Sequence, residues 1–216
     1  IIDEIFELCV KKIKIGQKES ELQTILMKYA LEQQMFDTGY KSTLNPLIIA
    51  GGPNGALPHA QVSQRKFKKG DLVVTDLTLR YKGYVSDSTR TFALGKISTQ
   101  ANEAYNVVQE SQKLGLKAVK HNVLCKDVDL ACRKYIDEKN FGKYFIHSTG
   151  HGIGLEVHEL PNISTKSTIQ LKENMAITVE PGIYIKNKFG IRIEDSLIVK
   201  DRPVVMHKFT KDLVTI

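Results

Sequence analysis

Acidic residues placed inside apolar strand patterns are the feature that most constrains the fold of this 216-residue chain. Residues 72–92 form two strand-like runs around a Lys-Gly pair, which predicts an antiparallel hairpin. With that pair as the loop, Asp87 lies opposite Thr78, and Asp76 lies on the same face, one diagonal step away. Two carboxylates so placed repel each other and lose hydration, so we expect a cation between them. The alternative of two solvent-facing aspartates stays open, because basic residues also occur in this hairpin.

A second pair of acidic residues follows the same pattern later in the chain. Residues 175–185 and 190–199 are predicted strands. With a loop centred near Asn187, Glu180 and Glu194 face each other. Each glutamate ends an apolar run, so burial would penalise its charge in the same way.

Residues 145–161 form a glycine- and histidine-rich segment that is typical of a functional site. It holds three of the six histidines, among them His151 and His158. Glycines at alternate positions around His151 permit positive φ or close approach of the backbone, and they interrupt any helix. Taken alone, a hydrogen-bonded buried His151 and a surface His158 would explain the pattern equally well.

Together these segments supply a chemically balanced set of metal ligands. Four carboxylates offset the charge of two divalent cations, and a neutral imidazole is a fifth ligand. Ligation by oxygen without thiolates favours Mn²⁺ or Co²⁺, with Zn²⁺ or Fe²⁺ as alternatives. Two such ions can share and activate a water molecule, which is hydrolase chemistry. The candidate ligands are Asp76, Asp87, His151, Glu180 and Glu194.

The composition limits the classes of partner and compartment. The net charge of +7 is spread over helices and turns without aromatic interleaving, so we expect a solvated basic surface and no nucleic-acid partner. No apolar run reaches the roughly 18 residues of a membrane helix, so we expect a soluble protein without a membrane partner. Cys9, Cys125 and Cys132 lack metal-ligand spacing, which indicates reduced thiols in a cytoplasmic protein.

The order of predicted elements indicates one α+β domain over residues 1–216. Helical apolar periodicity covers 1–15, 20–36, 98–121 and 126–140. Predicted strands follow each pair of helices. The order helix, helix, strands therefore occurs twice, over about 1–95 and 98–216, which predicts two pseudo-symmetric halves.

These motifs together resemble the pita-bread metallopeptidases, and specifically their Xaa-Pro branch, which contains prolidase and aminopeptidase P. The matching segments are 52–59, 70–76, 83–92, 147–159, 179–184 and 192–195. They cover nearly the whole chain in the family's order, and jointly they are highly specific. The resemblance implies a pita-bread fold, whose pseudo-two-fold halves combine antiparallel sheet with flanking helices.

The resemblance also implies a role for each site residue. The five candidate ligands match the family's metal ligands, with Asp87 and Glu194 as bridges between the ions. Glu180 matches the residue that takes the proton of the attacking water. His59 and His158 match catalytic histidines that hold the substrate and stabilise the tetrahedral intermediate. The implied substrate-binding residues are His59, His147, His158 and Arg192.

The implied activity is hydrolysis of the Xaa-Pro bond at the N-terminus of dipeptides or short proline-containing peptides by a metal-bridging hydroxide. Methionine aminopeptidase is the nearest alternative, but the sequence from Arg192 to Asp195 favours the proline branch. An inactive member that binds peptides or nucleic acid, and metal-independent hydrolysis of the creatinase type, are further alternatives that the complete ligand set disfavours. The choice between dipeptidase and aminopeptidase, and a homodimeric state, stay open.

The sequence departs from the family pattern at three points. Thr78 and Asn122 occupy positions that are usually glycine, and we expect neither side chain to contact a metal ligand. Members of this branch have a separate N-terminal domain that closes over the substrate, and we expect a catalytic domain without it here.

Overall fold

A computed structural model describes residues 1–38 and 47–216 of the chain. The α-helices in these ranges are α1 (Ile2–Lys12), α2 (Glu19–Glu32), α3 (Thr99–Ala118) and α4 (Cys125–Glu138). The strands are β1 (Met35–Phe36), β2 (Leu47–Gly51), β3 (Leu72–Tyr81), β4 (Tyr84–Ala93), β5 (Gly150–Gly152), β6 (Glu159–Ile163), β7 (Ala176–Val179), β8 (Gly182–Ile185), β9 (Phe189–Arg192), β10 (Asp195–Ile198) and β11 (Val204–Val205). Short 3-10 helices cover Gly52–Ala56 and Gly142–Tyr144.

The helices lie where the apolar periodicity predicts them, although each is shorter than the predicted range. α1 ends at Lys12 because Ile13 adopts an extended conformation, with φ −67° and ψ 138°. α2 begins at Glu19, because the Glu21 carboxylate accepts a hydrogen bond from the Lys18 N–H at 3.1 Å and fixes the first turn. Among the described helices, none combines the length and the apolarity that crossing a membrane requires.

β3 is the central strand of the first sheet. It pairs along its whole length with β4, and its other edge pairs with β1 and β2, all antiparallel. The Lys-Gly pair forms the two-residue turn with φ values of 48° and 91°, as hairpin turns of type I′ require. The register confirms the predicted arrangement, in which Thr78 lies opposite Asp87, and it places Asp76 opposite Thr89.

The second predicted hairpin is interrupted where its glutamates lie. β8 pairs with β9 and β7 pairs with β10, in one common register that keeps Glu180 opposite Glu194. Pro181 has no N–H to donate to a ladder. The N–H groups of Glu180 and Glu194 instead donate to Thr149 O at 2.7 Å and to Thr89 O at 3.1 Å. The predicted pairing of Glu180 with Glu194 is therefore confirmed, but each predicted strand is interrupted at its glutamate, because the backbone N–H there binds a segment outside the pair.

Each group of helices packs on its own strands. α1 and α2 cover the first sheet, and Phe6, Leu26 and Phe92 are fully buried between them. α3 and α4 cover the second sheet, in which the strand order is β11-β10-β7-β5-β6, together with the separate β8–β9 pair. Tyr105 and Ile177 are buried in this second core. The described residues therefore form two large apolar cores, one beneath each group of helices.

A polar seam, formed by β4 and residues 192–196, joins the two cores. Thr91 Oγ1 donates a hydrogen bond to Arg192 O at 2.9 Å. Ser196 Oγ donates to Asp87 O at 2.7 Å. These strands therefore meet through side-chain hydroxyls and backbone groups, which leaves acidic side chains of both segments close together.

Arg90 is a buried cation of this seam. Its Nη1 donates to Glu194 O at 2.6 Å, and its Nη2 donates to Asp195 Oδ1 at 2.7 Å and to Phe209 O at 3.0 Å. Its guanidinium also lies 5.5 Å from the centre of the Phe6 ring. Arg90 thus connects β4, the opposite side of the seam, the C-terminal segment and α1.

We expect Arg90→Met to lower the free energy of unfolding by about 3–5 kcal/mol, because it removes a buried donor from Asp195 and several carbonyl groups. Lys211 Nζ still reaches Asp195 at 2.8 Å, which favours the lower part of that range. Urea denaturation followed by circular dichroism measures the change. Lys113→Met, at an exposed ion pair with Glu110, is the matched control and should cost less than about 1 kcal/mol. Equal effects of the two variants would contradict the role given to Arg90.

Candidate metal centre

A cavity of about 240 Å³ opens at the seam. Every residue that the sequence analysis assigns to catalysis or substrate binding lies in its wall, and so do two of the five candidate ligands. The lining residues are Pro58, His59, His147, Ser148, His151, His158, Asn162, Glu180 and Arg192.

Three of the candidate ligands form a compact buried group. Asp87 from β4, His151 from β5 and Glu194 from the break before β10 each offer a ligand atom within 4.8 Å of the other two. The glycines around His151 are needed for close packing, since a Cβ at Gly150 would overlap the backbone of Thr178. The glycine-rich segment therefore brings the imidazole against two strands that supply carboxylates.

Glu180 lies next to this group. Its Oε1 is 3.2 Å from His151 Nε2, and Thr178 Oγ1 donates to the same oxygen at 3.2 Å. His151 Nδ1 faces Gly152 O at 3.0 Å, and a carbonyl oxygen only accepts, so Nδ1 carries a proton. Nε2 is therefore the nitrogen that faces the carboxylates, and it also lies 3.8 Å from Asp87 Oδ2.

Among the described residues, Asp76 does not belong to this compact group. Its carboxylate lies against two hydrogen-bond donors. Arg192 Nη2 forms a short ion pair with Asp76 Oδ2. Thr78 Oγ1 lies 3.2 Å from Asp76 Oδ1 and 2.9 Å from Asp87 Oδ1. The expectation that Thr78 contacts no candidate ligand is therefore wrong, because the hairpin register places its hydroxyl between the two aspartates. Asn122, the other departure, adopts a left-handed φ of 66° that asparagine tolerates.

The environment of Glu194 fits a bound cation. Its Oε2 accepts a hydrogen bond from Thr89 Oγ1 at 2.6 Å, whereas its buried Oε1 has no hydrogen-bond partner among the described residues. Burial, followed by the charge of Asp87, raises the pKa of Glu194 well above its usual range. Burial, followed by the charge of Asp76, does the same to the pKa of Asp87. A divalent cation would offset this repulsion and supply Oε1 with a partner.

His151 and Glu180 form a buried ion pair. Burial alone would lower the pKa of His151, but the hydrogen bond and the negative charge of Glu180 raise it to about 9. Burial alone would raise the pKa of Glu180, but the hydrogen bond and the positive charge of His151 lower it to about 2. Both side chains are therefore charged at neutral pH, and a metal ion at Nε2 would replace a proton.

His59 and His158 are exposed histidines in the cavity wall. The ring of His158 meets the ring of His151 edge-on, with 4.2 Å between centroids. Partial desolvation of the His158 imidazole, with the positive His151 beside it, lowers its pKa to about 4. His158 is therefore neutral at pH 7 and keeps one N–H donor.

The loop that leads to His59 is anchored by Glu19, at the start of α2. The buried Glu19 carboxylate accepts hydrogen bonds from the Gly51 N–H at 2.8 Å, from Asn54 Nδ2 at 2.8 Å and from Ser63 Oγ at 2.7 Å. The sequence analysis missed Glu19, because an acidic residue in the first turn of a helix is ordinary. No local pattern links it to partners that lie 32 to 44 residues away.

Arg192 and His147 line the cavity while their polar groups bind other parts of the protein. Arg192 Nη1 donates to the Tyr184 hydroxyl at 2.8 Å and to Pro58 O at 3.0 Å. His147 Nδ1 faces Ser148 O at 2.7 Å, so its Nε2 accepts from the Tyr184 hydroxyl at 3.0 Å. Tyr184 thus links the two residues, a role that the sequence analysis missed although Tyr184 lies in a matching motif. Direct contact of Arg192 and His147 with a substrate stays a prediction.

We expect metal binding to release protons and to strengthen as pH rises. The pKa of His151 is raised to about 9, so its imidazole carries a second proton at neutral pH that a cation must displace, and the raised pKa of Asp87 favours its protonated form in the same way. Affinity should rise about tenfold per pH unit for each proton released, up to about pH 9. Calorimetric titration with Mn²⁺ in two buffers of different ionisation enthalpy measures the number of protons. Asp87→Asn should lower that number, and an affinity independent of pH would contradict the prediction.

Comparison with known proteins places the chain in a family. The sequence profile of metallopeptidase family M24 matches residues 1–201. An Xaa-Pro dipeptidase of Pyrococcus furiosus is 41% identical over 205 residues, which are 93% of this chain and 56% of that protein. Among solved structures, an Xaa-Pro dipeptidase of Bacillus anthracis has a TM-score of 0.92 and 41% identity, covering 99% of this chain and 59% of the other. An X-Pro aminopeptidase of Thermotoga maritima has a TM-score of 0.89 and 36% identity, with 99% and 60% covered.

These similarities confirm the pita-bread fold that the sequence predicts. The chain spans 56% of the length of the Pyrococcus relative. The match to the family profile covers all five candidate ligands. The chain therefore belongs to metallopeptidase family M24.

Proposed function

We propose that this chain is the catalytic domain of a peptidase that hydrolyses the Xaa-Pro bond at the N-terminus of dipeptides or short peptides, with two divalent metal ions. The observation that carries the proposal is the buried group of Asp87, His151 and Glu194, whose ligand atoms lie within 4.8 Å of one another beside the cavity. The names of the similar proteins support the choice of the proline branch. The single domain would span residues 1–216, with pseudo-symmetric halves at about 1–95 and 98–216.

The ligand set suits divalent cations, as expected in a metallopeptidase family. Such ions would be held by Asp76, Asp87, His151, Glu180 and Glu194. Carboxylates and one imidazole favour Mn²⁺ or Co²⁺, and Zn²⁺ or Fe²⁺ also suit them. When bound, such ions lower the pKa of a water molecule and polarise a carbonyl group.

Glu180 is the residue suited to accept the proton of the attacking water. It lines the cavity, and its carboxylate can accept a proton from a water molecule held there. As the water oxygen bonds to the scissile carbon and the C–N bond breaks, the proton passes through Glu180 to the proline nitrogen. The same carboxylate thus acts first as a base and then as an acid.

His158 and His59 are suited to stabilise the carbonyl oxygen while it gains negative charge. A neutral His158 ring has one N–H that can donate to this oxygen. The contact with the His151 ring holds it beside the candidate metal ligands. His59 reaches the same cavity from the loop anchored by Glu19. The nitrogen of the Xaa-Pro amide belongs to proline and has no hydrogen. Recognition of the substrate therefore depends on its shape and on the carbonyl group.

The substrate class is tested with Gly-Pro, Gly-Pro-Ala and Met-Ala-Ser, incubated with metal-stripped protein before and after addition of Mn²⁺ or Co²⁺. We expect metal to restore cleavage only before proline, and the rates on the first two peptides separate dipeptidase from aminopeptidase. Asp87→Asn is the control and should lose metal and activity together. Cleavage after Met would instead indicate a methionine aminopeptidase. No cleavage by protein that holds two metal ions would contradict the proposal for this chain.

We expect His158→Ala to lower kcat by about 10²–10³-fold, because it removes a hydrogen bond to the developing oxyanion. Metal content should stay at the level of the unaltered protein, since His158 is not among the proposed ligands. His121→Ala is the matched control, because His121 is a surface residue paired with Asp201. Peptide hydrolysis and elemental analysis of both variants measure the two quantities. Unchanged kcat in His158→Ala would exclude His158 from the reaction.

A further inference from the structure

Thr78 lies on β3, the strand that supplies the proposed ligand Asp76, and it faces β4, which supplies Asp87. It lies directly opposite Asp87 in the β3–β4 ladder and two residues from Asp76 on the same face of β3. Directly opposed residues of an antiparallel pair have Cβ atoms about 4.5–5.5 Å apart, which is within reach of a hydroxyl and a carboxylate. The hairpin register alone therefore brings the three side chains together.

The Thr78 hydroxyl is within hydrogen-bond distance of both aspartates. Its Oγ1 lies 2.9 Å from Asp87 Oδ1 and 3.2 Å from Asp76 Oδ1. A hydroxyl has one proton, so it donates to one carboxylate at a time while its oxygen stays close to the other. The other oxygens have different neighbours, because Asp76 Oδ2 binds Arg192 and Asp87 Oδ2 faces His151.

We propose that Thr78 is a positioning residue, whose hydroxyl sets the orientation and separation of Asp76 and Asp87 for metal binding. This inference rests on the metal site proposed above. Hydrogen-bonding partners outside the ligand set commonly orient ligating carboxylates and tune their affinity. Threonine suits the task, because its branched Cβ allows few χ1 rotamers on a strand and the hydroxyl position is set before a metal binds.

If Thr78 had a purely structural role, removing its hydroxyl would have a different effect. If the hydroxyl only stabilised the hairpin, its removal would lower the melting temperature without changing metal affinity. If it orients the ligands, affinity and ligand geometry change in the folded protein. The two roles are therefore separated by measurements on metal binding rather than by stability.

The experiment compares Thr78→Val, which removes the hydroxyl but keeps the shape, with Thr78→Ser, which keeps the hydroxyl. Thr75→Val is the matched control, because Thr75 is a buried threonine of the same strand whose side chain contacts Cys9 on the opposite face. Mn²⁺ affinity is measured by competition with a chelator, and the visible absorption spectrum of the Co²⁺ form reports ligand geometry. Thermal melting of the metal-free proteins reports folding.

We expect Thr78→Val to weaken Mn²⁺ binding about 10- to 100-fold and to change the Co²⁺ spectrum. Thr78→Ser and Thr75→Val should keep the affinity and the spectrum of the unaltered protein. Unchanged affinity and spectrum in Thr78→Val would overturn the proposal. If that variant does not fold, Thr78→Ala replaces it in the comparison with Thr78→Ser, and equal affinities of this pair would overturn the proposal. Failure of the unaltered chain to bind Mn²⁺ would instead refute the proposed metal site itself.

Discussion

Burial of like charges is the constraint on which the rest of this structure depends. Asp87 and Glu194 lie next to each other in the seam at 5% and 1% exposure, and Asp76 lies nearby on β3. Removing one ion from water costs roughly several kcal/mol in a real protein, and repulsion between neighbours adds to that cost. The surrounding residues offset part of it, since Arg192 pairs with Asp76 and His151 pairs with Glu180. Asp87 and Glu194 keep raised pKa values, and a bound cation would stabilise their ionised forms.

The polar seam follows from the same constraint. An apolar contact between the two cores would bury them well, but it could not bring carboxylates of β4 and of the segment before β10 to one point. The seam instead uses hydroxyls, such as those of Thr91 and Ser196, to satisfy backbone groups of the opposite segment. Arg90 adds a permanent positive charge at its base, where it binds Asp195. The two cores supply stability, and the seam supplies the geometry of the site.

The sequence predicts the parts of the site that depend on local geometry. The two-residue turn determines which face Asp87 shares with Asp76, and the resemblance to a family adds the roles of His59 and His158. The break in the second hairpin was not predicted, because the N–H groups of the glutamates find partners in other segments of the fold.

Contacts between elements that are distant in the sequence could not be predicted either. Glu19, Thr89 and Tyr184 act through hydrogen bonds to residues that strand or helix periodicity does not relate to them. Periodicity defines the face of an element, but it does not define which other element docks there. Thr78 is a different case, because the register that was predicted for the aspartates already placed it between them. The contact of Thr78 with the aspartates was not expected, because Thr78 was treated as a replacement of glycine without a role of its own.

The pairing of Arg192 with Asp76 explains how Asp76, a proposed ligand, keeps its orientation. Asp76 Oδ2 accepts a hydrogen bond from Arg192, and Asp76 Oδ1 lies within hydrogen-bond distance of the Thr78 hydroxyl. A carboxylate oxygen has two lone pairs, so each can still bind a cation along its second direction. The protein donors therefore select the direction from which a metal ion can approach Asp76. Arg192 is anchored in turn by Tyr184 and Pro58, so the direction is fixed by the scaffold around the cavity rather than by the metal.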